Sequence, residues 1–180
     1  MSFLEHPAVD TFDVGVDRLF DRPRTHPAVN RAMYSLTELG DFSLIWHTIS
    51  VATGLLGGAR GERRMLRLSL ALGVEAALVN GPIKSRFRRQ RPVHEGVRPH
   101  TLRLPQTSSF PSGHASAAAC AVVLLTDGAS APEKVAWTTL GALVALSRIH
   151  VRIHHASDVV GGALVGTAAG LIARRLFPLR

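Results

Sequence analysis

Five apolar runs divide this sequence and constrain its fold more than any other feature. Residues 42–59 form an uncharged run of 18, the length at which a helix becomes able to cross the hydrocarbon of a bilayer. Residues 65–83 read as a second run, interrupted by Arg67 and Glu75, which at such a depth need a partner or a water-filled face. Residues 115–126, 135–147 and 159–173 add uncharged runs of 12, 13 and 15. Any one of these short runs alone would suit a buried helix of a soluble bundle. Five in one chain of 180 residues point instead to an all-α, multi-pass membrane bundle of about five spanning helices. A soluble helix must keep a polar face, and the run 159–173 (VVGGALVGTAAGLIA) is small or apolar all round. Within it Gly162, Gly166 and Gly170 recur every fourth residue. That pattern lets another helix backbone approach closely, and it offers a face for a homo-oligomer.

Ahead of the first run, residues 9–21 and 27–39 mix apolar and charged side chains at helical spacing, as interfacial helices lying along a membrane do; packing onto the bundle fits them equally well. The sequence therefore reads as an N-terminal interfacial segment, 1–41, followed by a membrane domain, 42–180, in a single unit. Residues 1–41 lack a cationic start followed by an apolar run, so no cleavable secretory signal is visible. The stretch 91–112, with Pro92, Gly96, Pro99, Pro105 and Pro111, reads as one long loop, and loops of that length commonly carry function.

Charge narrows the ligand class. A net charge of +8 rests on two lysines and nineteen arginines, a balance that suits a polyanion without separating nucleic acid, anionic lipid and phosphorylated small molecules. Cys120 is the one cysteine, so neither an internal disulfide nor a cysteine zinc cluster can be built.

Three clusters stand at the ends of the runs, and all fall on one side if the runs alternate in direction. Lys84-Ser85-Arg86-Phe87-Arg88-Arg89-Gln90-Arg91-Pro92 closes the second run, and Pro111-Ser112-Gly113-His114 opens the third. Ser147-Arg148 closes the fourth, and the chain continues through His154 to Asp158 at the start of the fifth. Each has a plain reading by itself. Juxtamembrane arginines set topology or touch headgroups; Ser112 can simply cap a helix; His154 and Asp158, four apart on one helical face, can be a structural pair or, with His150, a divalent metal site.

Taken together, Lys-x6-Arg-Pro, Pro-Ser-Gly-His and Ser-Arg-x5-His-x3-Asp resemble the motif set of the type 2 phosphatidic acid phosphatase superfamily, whose relatives include the vanadium haloperoxidases. The resemblance implies a helical membrane enzyme that hydrolyses a lipid phosphate without metal or other cofactor. His154 would attack phosphorus to form a phosphohistidine, Asp158 would orient its ring, and His114 would protonate the leaving oxygen and then activate water. Lys84, Arg91, Ser112, Gly113 and Arg148 would bind the phosphate, with arginine forks and a helix N-terminus matching its oxygens. Helical spacing favours His154 over its neighbours, because Asp158 lies one turn along on the same face whereas His155 is rotated by roughly 100°. The implied partners are a lipid phosphate substrate and membrane lipids rather than nucleic acid, and the implied location is the cell membrane. Substrates of this kind include prenyl phosphates and diphosphates, polyprenyl-phosphoribose phosphate, phosphatidic acid and phosphatidylglycerol phosphate. Two other classes share some of these features: a haloperoxidase-like or soluble acid phosphatase, and a non-enzymatic membrane protein that binds anionic lipid through its arginines.

Overall fold

A computed structural model of the protein describes Leu4, residues 6–94 and residues 96–179. Residues 1–3 and 5 of the N-terminal segment, Glu95 of the long loop and Arg180 lie outside the described residues. Eight α-helices follow one another, α1 (Pro7–Leu19), α2 (Asp21–Arg24), α3 (Pro27–Gly40), α4 (Leu44–Leu56), α5 (Gly58–Leu78), α6 (Gly113–Leu125), α7 (Ala131–His150) and α8 (Ala156–Leu176), with no strand among the described residues.

The helix ends follow local chemistry. Pro7 and Pro27 sit in the first turns of α1 and α3, where a missing N–H costs nothing. Ser130 and Glu133 close a capping box on α7, with the Ser130 N–H donating to the Glu133 carboxylate at 2.8 Å. Asp158 closes the corresponding box on α8 by accepting the His155 N–H at 2.9 Å. Between α3 and α4 a 3-10 turn, Asp41–Ser43, kinks the chain with Phe42 and Ser43 at φ of 52° and 58°.

Two expectations about the runs need correction. The charged stretch Arg60–Arg64 between the first and second runs reads in the sequence as the turn that joins them, but the chain does not reverse there. The turn lies at Gly57 and Gly58, and α5 begins seven residues before Met65. Glycine chemistry sets this position: Gly58 has a φ of +54°, and a Cβ on Gly61 would stand 2.2 Å from the Thr53 carbonyl oxygen, which only glycine tolerates. The glycine face of α8 is also not free for a second copy. A Cβ on Gly162 would meet the Ser112 carbonyl oxygen at 2.3 Å, and one on Gly166 the Ser116 carbonyl oxygen at 1.9 Å. The close approach allowed by the glycines is spent inside the chain, against α6.

That contact makes α6 the axis of the bundle. Ala115, Ala117, Ala118, Cys120, Ala121 and Leu124 are buried, and α6 packs on α5, α7 and α8. Around it, Trp46, Leu68, Leu72 and Val144 fill the core. Outward, Leu66, Leu70, Val74 and Leu78 are all exposed, a continuous apolar stripe along α5 at four-residue spacing. Stripes of this kind face lipid rather than water. Three stretches are long and apolar enough to cross a membrane, Pro27–Leu56, Gly58–Arg86 and Ala156–Leu176, while Gly113–Leu125 is apolar but shorter.

The two ends of the bundle differ. At one, Arg67 is buried and donates to Asp127 at 2.6 Å and to the Leu124 carbonyl at 3.1 Å, a staple that resolves the intrusion noted in the second run. At the other end lie the three basic and imidazole clusters.

Candidate active site

The last turns of α5 widen into a π turn over Val79–Ile83, with Pro82 inside it, before a 3-10 turn over Lys84–Arg86. Single π turns often mark functional positions because they re-aim the side chains that follow. Here the result is a buried Lys84 brought to the N-terminus of α6, with its ammonium nitrogen 3.8 Å from where a Cβ of Gly113 would be. Lys84, Gly113, His114, Arg148 and His154 line one cavity of about 450 Å³. Positions 70 residues apart in sequence thus share a single hollow.

Arg148 is the most telling member. It closes α7, is 1% exposed, and its Nε and Nη1 have no hydrogen-bond partner. A buried guanidinium with unused donors is costly unless an anion meets it. His154 follows in the α7–α8 turn and is also buried. Burial pushes its imidazole down to about 3, the neighbouring Arg148 and Arg91 cations act in the same direction, and the Asp158 hydrogen bond opposes them. The ring is therefore neutral at physiological pH, with a lone pair to give. Asp158 Oδ2 lies 3.5 Å from Nδ1, and Arg91 Nη1 donates to Nε2 at 3.1 Å. Both contacts are satisfied by the tautomer that carries its proton on Nδ1 and its lone pair on Nε2.

His114, at the start of α6, makes a second histidine–carboxylate pair. Its Nε2 donates to the Thr37 carbonyl at 3.0 Å and lies 3.2 Å from Asp41 Oδ1. This arrangement leaves Nδ1 free to exchange a proton with a bound substrate, and Asp41 balances the charge when both nitrogens are protonated.

Two expected phosphate ligands also carry structural contacts. Ser112 is fully buried, and its Oγ accepts the Ala115 N–H at 3.4 Å as the cap of α6; that contact uses one lone pair and leaves the O–H to donate to an anion at the helix N-terminus. Arg91 reaches the cavity edge, where its Nη1 meets His154 Nε2 at 3.1 Å. It binds loop carbonyls, Pro105 and Thr107 at 3.1 Å each, and so fixes the long loop against the nucleophile. His150 turns away, with Nε2 at 2.7 Å from Asn30 Oδ1, and among the described residues no group of three or more His, Cys, Asp and Glu side chains could hold a metal ion.

Several neighbours were not anticipated. Ser109 donates to Asp158 Oδ2 at 2.5 Å. Arg89 Nη1 donates to Asp158 Oδ1 at 2.7 Å, and its Nη2 donates to Asp13 Oδ2 at 2.6 Å. Burial works against the Arg89 charge, but the two carboxylates more than offset it and raise its pKa. Glu75, the second intrusion in the α5 run, is buried and lines the same cavity. A more open hollow of about 1030 Å³ lies under the loop beside Arg91, Arg98 and Arg152. His94 and His100 line it but His154 and His114 do not, and Arg98 in it is held by the Val151 and Arg152 carbonyls.

The family model of the PAP2 superfamily matches residues 64–180. Decaprenylphosphoryl-5-phosphoribose phosphatase of Mycolicibacterium smegmatis is 35% identical over 141 residues, 76% of this chain and 72% of that one. Phosphatidylglycerophosphatase B of Bacillus subtilis is 28% identical over 78% of this chain and 71% of its own. Among solved structures, Aquifex aeolicus LpxE superposes with a TM-score of 0.77 at 23% identity, covering 97% of this chain and 99% of that one. The transmembrane PAP2-type phosphatidylglycerolphosphate phosphatase of Bacillus subtilis superposes at 0.73 and 24%, covering 96% and 88%. The fold is thus that of the PAP2 membrane phosphatases. The chain belongs to the PAP2 superfamily and is a lipid phosphatase.

Proposed function

We propose that this protein removes the terminal phosphate of a polyprenyl-phosphoribose phosphate through a phosphohistidine on His154. The observation that carries the chemistry is the buried, unpartnered Arg148 guanidinium beside a neutral His154 in one cavity. His154 Nε2 attacks phosphorus while the phosphorus–oxygen ester bond breaks, and the leaving ribose oxygen takes a proton from His114. Water then attacks the phosphohistidine, His114 takes its proton, the phosphorus–nitrogen bond breaks, and phosphate leaves. Lys84, Arg148 and the Gly113 amide at the α6 N-terminus hold the equatorial oxygens, where charge builds in the transition state. Asp158 keeps the attacking tautomer, and the Arg91 N–H that rests on Nε2 passes to a phosphoryl oxygen as the Nε2 lone pair meets phosphorus. No step calls for a metal.

The substrate rests on likeness: the relative at 35% identity acts, by its name, on decaprenylphosphoryl-5-phosphoribose. We place the bundle α4–α8 across the cell membrane in five passes, with the catalytic end at the headgroup level and the prenyl chain in lipid along the apolar stripe of α5. Residues 7–40 lie against that end as its interfacial cover. The test is phosphate release by detergent-purified protein from a polyprenyl-phosphoribose 5-phosphate and from phosphatidylglycerol phosphate, in EDTA and with or without orthovanadate. The expected result is preference for the prenyl substrate, full activity in EDTA and inhibition by vanadate. Preference for phosphatidylglycerol phosphate would overturn the substrate, and loss of activity in EDTA would overturn the metal-free chemistry.

A further inference from the structure

Asp13 lies in α1, outside the stretch 64–180 that matches the superfamily, yet it is 5% exposed. Its carboxylate is fully engaged. Oδ1 accepts the Ser157 N–H at 2.7 Å, and Oδ2 accepts the Ser157 hydroxyl at 2.8 Å and Arg89 Nη2 at 2.6 Å. Arg89 extends the line, because its Nη1 donates to Ser157 Oγ at 2.6 Å and to Asp158 Oδ1 at 2.7 Å. The other oxygen of Asp158 faces His154, Ser109 and the His155 N–H. A continuous chain of contacts thus runs from the N-terminal helix, Asp13–Arg89–Asp158, to the His154 ring.

We infer that Asp13 is a positioning residue for the phosphatase reaction, acting through Arg89 to set the orientation and charge of Asp158. The physical reason is charge balance in a dry site. Arg89 is 10% exposed at its side chain and sits between two carboxylates that are 5% and 0% exposed. With Asp13 present, the guanidinium divides its charge between two anions. Asp158 then keeps enough negative charge to offset the positive charge that His154 gains as its Nε2 bonds to phosphorus. Without Asp13, the full cation falls on Asp158 and weakens that compensation just when it is needed. Arg89 also loses one of the two anchors that fix the plane of the Asp158 carboxylate. The consequence is a change in kcat and in phosphoenzyme formation rather than in substrate binding, since Asp13 touches neither the cavity nor the phosphate ligands.

This inference rests on the reading of His154 and Asp158 given above, and the experiment separates the two. Full-length protein in detergent is assayed for kcat and KM, with the folded fraction followed by thermal unfolding. Asp13→Asn is expected to lower kcat about tenfold with KM unchanged within about twofold, the size of a displaced orienting contact. Asp17→Asn is the structural control. Asp17 ties the same helix to Arg24 and Arg152 with no path to Asp158, so it is expected to loosen α1 and leave kcat intact. In an Arg89→Gln background, Asp13→Asn is expected to cost nothing further, because its route is already cut. If Asp13→Asn does not fold, Asp13→Glu, which keeps the charge and shifts it by one methylene, is expected to lower kcat about threefold. Unchanged kcat in the folded Asp13 variant, equal loss in Asp17→Asn, or losses that multiply in the double variant would each overturn the inference. Full turnover by His154→Gln would instead overturn the underlying reading.

Discussion

Two histidine–carboxylate pairs face the same cavity, and their surroundings differ. His154 and Asp158 are four residues apart on one short stretch, 3.5 Å apart in space, with side chains 2% and 0% exposed. His114 and Asp41 are joined across the fold at 3.2 Å and are 13% and 20% exposed. The first pair is sealed, and its imidazole is held neutral by burial; it has the character of a nucleophile whose lone pair must be available at every physiological pH. The second is closer to solvent and can exchange protons with it, as an acid that becomes a base within one turnover must. The same two residue types are assigned opposite tasks by environment alone.

The comparison is broken most severely at the nucleophile. His154→Gln is expected to lower phosphate release by at least about 10⁴-fold, as removal of a covalent nucleophile does, while His155→Gln, whose ring caps α8 outside the cavity, retains most activity. His114→Gln is expected to cost about 10²- to 10⁴-fold and, unlike His154→Gln, to leave phosphoenzyme formation from an activated ester with a good leaving group. Asp158→Asn follows with about 10²- to 10⁴-fold, since an amide stabilises the wrong tautomer. Asp41→Asn is expected to be milder, roughly tenfold or about 1.4 kcal/mol, because solvent reaches that pair. Steady-state kinetics on the five folded variants checks these expectations.

The smallest effect concerns stability. The His154 imidazole falls from 6.5 in the unfolded chain to about 3 in the fold, so its burial favours the native state fully above pH 6.5 and that contribution is lost as pH falls toward 3. Unfolding temperatures measured across that window should drop more steeply for the native protein than for His154→Gln. Parallel curves would contradict the sealed environment of the first pair.

The sequence makes the first pair readable and hides much of the second. Lys84, Gly113, His114, Arg148, His154 and Asp158 all fall at the ends of apolar runs in short fixed spacings, where local geometry carries the signal. Asp41 and Asp13 are isolated acids in a mixed segment, and Arg89 is one arginine among several. Only the packing of α1 on α8 and of the Asp41–Ser43 turn on α6 gives them partners, and no spacing rule reaches across more than 70 residues. The same limit explains the glycine face of α8, whose pattern announces a close neighbour without saying that the neighbour is α6. The α4–α5 turn is hidden for a different reason: residues 55–61 contain three glycines, and Arg60 among them ends the uncharged run three residues past Gly57, so composition alone does not show where the chain reverses.

The central claim, that His154 is the covalent nucleophile and His114 the proton carrier, is tested most directly by trapping the phosphoenzyme and locating it by mass spectrometry under alkaline conditions that preserve phosphohistidine. The account predicts phosphate on His154 in the native protein, a longer-lived phosphoenzyme on the same residue in His114→Gln given an activated ester, and none in His154→Gln. Phosphate on any other residue, or continued turnover by folded His154→Gln, would contradict it.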